Sequence, residues 1–316
     1  MPQFDSLLAL VKAGTTYGAL PTFTGADALR VFDVSMRPLE AAPVERVQVD
    51  PEGSGRIVKP AMTAQFSTLE FSCQPLPSGT AGTPPLIAIP MAACGFNLTT
   101  VTGTSNTFSL ASLNSAVGFA DIQIVQGGDA YTFLGCRGNV EITYASGALP
   151  VYKYSMEGIY VAPTSGASFS PTYGTSALDV VVDATNTATF NLGTTGAPIA
   201  MEFTTFTIGT GNTISRHDNG GGTKRVEISG RTPTASMTVR HKGLATFNPF
   251  ALAAGETENA CTLAHGAAGW RQTIVLPRFT YEPPTIEETN NEVFYGLTTL
   301  LSRSAGQNNY FTIKFD

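Results

Sequence analysis

Apolar residues recur at every second position through segment after segment of this 316-residue chain, and that alternation constrains the fold most. In the run VYKYSMEGIY, Tyr152, Tyr154 and Met156 fall on one face of an extended strand. Met62, Ala64 and Phe66 do the same, and after a break at Ser67-Thr68 the pattern resumes with Leu69 and Phe71, as in a long strand that carries a bulge. Further strands are expected at 120–126, 130–134, 138–145, 150–162, 178–182, 188–192, 202–208, 225–229, 235–240, 272–281, 293–301 and 310–315. Helices are expected only as short pieces. Phe4, Leu7, Leu8 and Val11 have helical spacing over 4–12, and the segments 84–95 and 248–255 open on proline and close on glycine.

Composition agrees with an all-β chain. Only 13% of residues are charged, whereas glycine (32) and proline (20) are plentiful enough for many short strands and turns. Lysine and arginine total 18 against 24 acidic residues, a formal charge of −6, so the basic surface that grips a nucleic-acid backbone is not indicated. Cys73, Cys94, Cys136 and Cys261 are widely spaced and read as reduced, buried, small hydrophobes of a cytoplasmic folding environment. The opening MPQFDSLLALVKAG lacks the basic leader and apolar run of a secretory signal, and no apolar stretch is long enough to span a membrane.

The two halves repeat one order. Asp50, Glu52, Gly53 and Gly55 mark a charged, glycine-rich loop that leads into a long strand and then into the helix at 84–95. Asp218, Asn219, Gly220, Gly221, Gly222 and Lys224 mark a second such loop, again followed by strand and helix. An offset of 169 residues relates Arg56 to Arg225 and Ser67 to Ser236. The Ser-, Thr- and Gly-rich stretch 163–200 is the expected boundary. It separates a domain at 1–162, with an N-terminal arm at 1–45, from one at 163–316.

Motifs for chemistry fail on context. The glycines of HDNGGGTK resemble a phosphate cradle, but a P-loop needs Gly-Lys-Ser/Thr followed by a helix, and here a strand follows. A hairpin tip is the better reading, with the glycines supplying positive φ. His217, His241 and His265 have no metal-ligand spacing, no G-x-S-x-G elbow occurs, and Glu287-Glu288 reads as a solvated pair in a turn-rich gap. Tyr152, Tyr154, Tyr160, Phe203 and Phe206 could stack a sugar or base but are more simply core. Neither an enzyme nor a cofactor is expected.

Three segments carry a family resemblance: TTYGALPTFTGADALRVFDVSMRPLEAAPVERVQVD near the N-terminus, Phe133–Thr143 with Tyr152–Pro163, and Asp218–Arg231 with the strand after it. The chain resembles the tail tube (major tail) proteins of long-tailed bacteriophages. The resemblance implies two tandem β-sandwich or barrel-like domains, each with a short flanking helix and a long hairpin loop. It implies stacked rings of three copies, or six, around a lumen through which phage DNA passes without specific binding. The tape-measure, terminator and distal tail proteins would be neighbours, and the place would be the virion tail, assembled in the host cytoplasm. The two glycine-rich loops are expected to touch neighbouring subunits or rings. A carbohydrate-binding β-sandwich, or a decoration or tail-terminator protein, is the alternative.

Overall fold

The computed structural model describes residues 7–49, 55–75, 78, 80–113, 117–173, 180–194, 196–220, 222–267, 271–289, 291–303 and 310–316; the side chains of 45–49, 55–60 and 289 lie outside that description. Strands hold 58% of the residues and helices 6%, so the chain is mostly β. In the first half lie β1 (Leu7–Ala13), β2 (Ala28–Leu29), β3 (Phe32–Val49), β4 (Gly55–Cys73), α1 (Ala88–Ala93), β5 (Phe96–Val101), β6 (Ser105–Leu110), β7 (Ala120–Gln126), β8 (Asp129–Ala145) and β9 (Val151–Tyr160). After β10 (Thr164–Ser165) come β11 (Thr187–Thr194), β12 (Ala197–Ala200), β13 (Phe203–Gly209), β14 (Asn212–His217), β15 (Arg225–Arg231) and β16 (Thr234–Arg240). The chain ends with α2 (Pro249–Ala254), β17 (Asn259–His265), β18 (Gln272–Tyr281), β19 (Thr285–Thr289), β20 (Glu292–Leu301) and β21 (Thr312–Phe315).

One pattern of pairing occurs twice. The first half is ordered β2-β1-β7-β8-β9-β4-β3, antiparallel at every step. The second half is ordered β12-β11-β17-β18-β20-β16-β13, again antiparallel throughout. Even irregularities correspond, for β3–β4 slips register between Phe32 and Ser35 and β13–β16 slips between Phe203 and Thr205. Each copy also places its helix after the second strand of the hairpin. Leu69 faces Met36 as Met237 faces Phe206, which sets the correspondence one residue short of 169 between β4 and β16 and one residue beyond it between β3 and β13. With an offset of 169, buried Ser67 would fall on exposed Ser236, the wrong face of the sheet.

The copies are fused by ladders and by core. Glu141–Ala145 of β8 pairs with Thr205–Gly209 of β13, and β21 pairs with both β6 and β18. A single hydrophobic cluster runs through both halves. Tyr144 stands at its centre, 6.4 Å from the Phe206 ring and 5.6 Å from the His265 ring, and donates a hydrogen bond to Gln272. Complete burial of a side chain such as Phe206 contributes about 1.5–3 kcal/mol, so this shared core binds the halves firmly. Residues 180–194 pack here too, with Val182 buried and bonded through its backbone to Gly147 and Ala148.

Several local expectations change. The segment expected as a helix at 4–12 is strand β1 from Leu7 onward, while Phe4 lies outside the described residues. Ala9 and Val11 face the main core while Leu10 joins Phe23 and Ala28 on the other face, so burial on both faces produces a continuous apolar run that imitates a helix. The strands expected at 130–134 and 138–145 are one strand, β8, bulged between Leu134 and Arg137 with Gly135 at φ 59°. Residues 180–182 form no strand. The helix expected at 84–95 shortens to α1, closed by Gly95 at φ 85°; Gly255 ends α2 without a left-handed φ, which Glu256 takes instead.

Gly138 in β8 has no room for a side chain, because a Cβ there would stand 2.1 Å from the Ser155 carbonyl oxygen. Gly138→Ala should destabilise by about 1–3 kcal/mol, seen as a lower urea midpoint. Gly209→Ala, whose Cβ would meet nothing within 4 Å, should leave the midpoint nearly unchanged.

Candidate assembly surfaces

The second glycine-rich loop is the tip of the β14–β15 hairpin, and the first lies in sequence between the paired strands β3 and β4. Asp50, Glu52 and Gly53 lie outside the described residues, and Gly55 opens β4 opposite Val49. At the second tip, Lys224 Nζ lies 3.6 Å from Asp218 Oδ2, and the Gly222 amide donates to the Asn219 carbonyl at 3.0 Å. Gly220 and Gly222 do not use positive φ, so hydrogen bonding at Asn219 shapes this turn, and Gly221 lies outside the described residues. The segment after the tip is strand β15, which lacks the helix N-terminus that a P-loop requires.

The second hairpin, β14–β15, is laid across the first half of the molecule. Its seat is polar. Asn212 donates through Nδ2 to the Cys94 and Gly138 carbonyls, each at 2.8 Å, while its backbone amide donates to Asn139 Oδ1 at 2.6 Å. Arg231 donates to Asn212 Oδ1 at 2.7 Å and to the Ala111 carbonyl at 2.8 Å. The Val226 amide donates to the Tyr17 hydroxyl at 2.6 Å, and Arg137 donates to the Val226 carbonyl at 2.7 Å. Arg216 then reaches Glu157 and Glu40, each at 2.6 Å. Burial works to raise the Glu40 carboxyl, but hydrogen bonds from Arg216 and Thr68 and the charges of Arg216 and Arg37 hold it below its ordinary value. Sequence patterns did not single out these residues. The one trace is arginine at 216 and 231 in a chain that uses little charge.

Edges distinguish the two copies. In the first copy, β8 beyond its bulge is paired by β9 on one side and by β13 on the other. Its counterpart in the second copy is β19, which pairs with β20 alone among the described residues. Likewise β13 is paired on both edges, whereas β3 pairs only with β4 among them. Val140 and Ile286 occupy corresponding inward positions, opposite the buried Tyr154 and Tyr295. Val140 is 1% exposed, with its backbone bonded to Thr210 just past β13, and Ile286 is 66% exposed. Phe32 and Leu39 on β3 are exposed as well, with Val34 and Met36 half-buried on its inner face. The Glu287-Glu288 pair belongs to β19, so the turn-rich gap expected there holds a strand.

Other candidate chemistry resolves into structure. Among the described residues no group of three or more His, Cys, Asp or Glu side chains could hold a metal ion. All four cysteines are free and buried, and burial pushes the Cys73 thiol up to about 12. Tyr152, Tyr154 and Phe206 are core; Tyr160 and Phe203 are half-buried. His265 is buried, with its ring nitrogens 3.2 Å from Thr187 Oγ1 and 2.9 Å from the Val180 carbonyl, and burial lowers its pKa. His217 lies 3.4 Å from Glu227, and His241 packs against the Tyr295 ring. A surface hollow of about 350 Å³ lies beside β8 and β9, lined by Glu70, Lys153, Asn139 and Asn212 among others but by no aromatic ring on which a sugar could stack. No helix is long and apolar enough to cross a membrane, among the described residues. No protein-family model and no curated protein sequence matches the chain.

Two charge-assisted contacts hang on Arg216, so Arg216→Met should loosen β14–β15 by about 1–2 kcal/mol after solvent screening. Faster amide exchange confined to residues 212–217 and 225–231 would report it. Because Glu40 has a lowered folded-state value, its contribution is present above the unfolded carboxylate range near pH ~4.3. It is lost as pH falls through the folded value. Hairpin protection should therefore fall with acid in the wild type, and Glu40→Gln should flatten that part of the profile.

Proposed function

We propose that this chain is the structural subunit of a bacteriophage tail tube, with two tandem tail-tube-like β units in one polypeptide. Copies assemble into stacked rings around a channel that conducts DNA during ejection. The observation that carries this reading is the doubled ladder order, joined edge to edge by β8 and β13. A unit that pairs side by side with its own repeat already contains the operation that builds a ring. Three copies supply six units per ring, with six copies as the alternative.

The charge balance fits a conduit. A formal charge of −6 repels phosphate, where a basic lumen would hold DNA by counterion release. The hairpin tips at residues 50–55 and 218–224 then serve contacts to neighbouring subunits or rings, with tape-measure, terminator and distal tail proteins at the ends of the tube. Such a subunit belongs in the virion tail.

Electron microscopy of the purified protein should show rings or hollow tubes, and mobility-shift assays should show no duplex DNA retained at physiological salt. A protein that stays monomeric at high concentration and is missing from the tail shaft of particles would overturn the proposal. Saturable binding on a glycan array would favour a carbohydrate-binding module instead.

A further inference from the structure

We infer that Asn219 is a self-modification site: the Gly220 amide closes on the Asn219 side chain, and the tip of the β14–β15 hairpin converts with time into a mixture of isoaspartate and aspartate. Nothing in this chemistry depends on the tube-subunit reading.

The chain has a single asparagine followed by glycine, and it is Asn219. A side chain on the following residue would crowd the approach of its backbone nitrogen to the asparagine Cγ, and glycine has none. Asp218, Asn219 and Gly220 are exposed, and a Cβ built on Gly220 would meet nothing within 4 Å, so the space for a five-membered ring is open. Among the described residues neither the Asn219 carboxamide nor the Gly220 amide forms a hydrogen bond; the Asn219 carbonyl accepts from the Gly222 amide at 3.0 Å. Other asparagines are held. Asn139 and Asn212 use both ends of their carboxamides. Asn186 donates through Nδ2 to the Val181 carbonyl, and Asn248 accepts from the Ala251 amide and precedes a proline, which has no N–H to attack with.

Water is the only co-reactant. The Gly220 nitrogen gives its proton to solvent and attacks Asn219 Cγ; the N–Cγ bond forms, the Cγ–Nδ2 bond breaks, and Nδ2 takes up a proton and leaves as ammonia. Water then opens the cyclic imide. Attack at Cγ restores the ordinary backbone with aspartate at 219, whereas attack at the main-chain carbonyl routes the backbone through Cβ and Cγ as isoaspartate. Either product places a second carboxylate beside Asp218, where Lys224 Nζ already lies 3.6 Å from Asp218 Oδ2. In isoaspartate the carbonyl that accepts from Gly222 becomes a free carboxylate and the main chain gains one carbon, so the turn at the tip is rebuilt. Because the attacking nitrogen must be deprotonated, conversion speeds up as pH rises.

The test uses the full folded chain. Trypsin cuts after Arg216 and Lys224, so residues 217–224 leave as one peptide, HDNGGGTK. After incubation of the native protein at mildly alkaline pH, mass spectrometry should show that peptide heavier by about 1 Da. An isoaspartyl methyltransferase should methylate it, while the peptides that carry Asn139 and Asn212 stay unchanged. Gly220→Ala, which has room for its Cβ without a left-handed φ, should slow the conversion by about tenfold or more. A native tip that stays unmodified while the free peptide HDNGGGTK converts under the same conditions would overturn the inference. So would Asn139 or Asn212 converting at the same rate, or a Gly220→Ala chain that converts as fast as the wild type.

Discussion

The backbone ladder between β8 and β13 is the interaction on which the rest of the molecule depends. It takes the free edge of one β unit and satisfies it with the free edge of the next, burying Ile142 and Tyr144 against Ile208 and Phe206. Without that ladder each unit would present unpaired amides and carbonyls beside a strip of apolar side chains, the arrangement that drives uncontrolled association. Covalent linkage makes the pairing intramolecular. The second strand is held at a high effective concentration whatever the protein concentration, so the internal junction forms as part of folding.

A second consequence concerns the mixture of forces at the junction. The sheet edges meet through an apolar core, but the hairpin above them is seated through Asn212, Arg231, Arg137, Tyr17 and Arg216. Hydrogen bonds to fixed carbonyls demand one orientation, whereas apolar contact tolerates sliding. The polar seat therefore sets the angle between the units and the apolar ladder supplies most of the stabilisation. Where Arg216 bridges Glu40 and Glu157, the second hairpin is tied to β3 and β9 of the first half. That tie couples the hairpin position to β3, the strand that pairs with β4 alone among the described residues.

Most strands were legible in the sequence because they follow period two: β7, β9, β16, β18 and β20 fall where the alternation places them. What was not legible has a common cause in tertiary context. Strand β1 is buried on both faces, so its pattern is lost and Leu7–Val11 imitates a helix. In β8 the bulge at Gly135 looks like a turn, because glycine at positive φ has the same local signature in both. Strand β19 hides behind Pro283-Pro284 and its two glutamates, which lower strand propensity at an edge where they also discourage premature pairing. The repeat was legible as an order of elements, but its register needed the buried faces. The hairpin seats are long-range hydrogen bonds between residues up to 209 positions apart, and no local pattern carries them.

The two β8-type strands differ in what they expose to water. The internal edge can afford Ile142 and Tyr144 because it is never exposed once the chain has folded. The external edge must survive in water, and it is shorter, carries Glu287 and Glu288, and exposes a single large aliphatic residue, Ile286. Charge on an edge strand disfavours pairing with a second copy of that same edge, so Glu287 and Glu288 protect β19 against uncontrolled self-pairing.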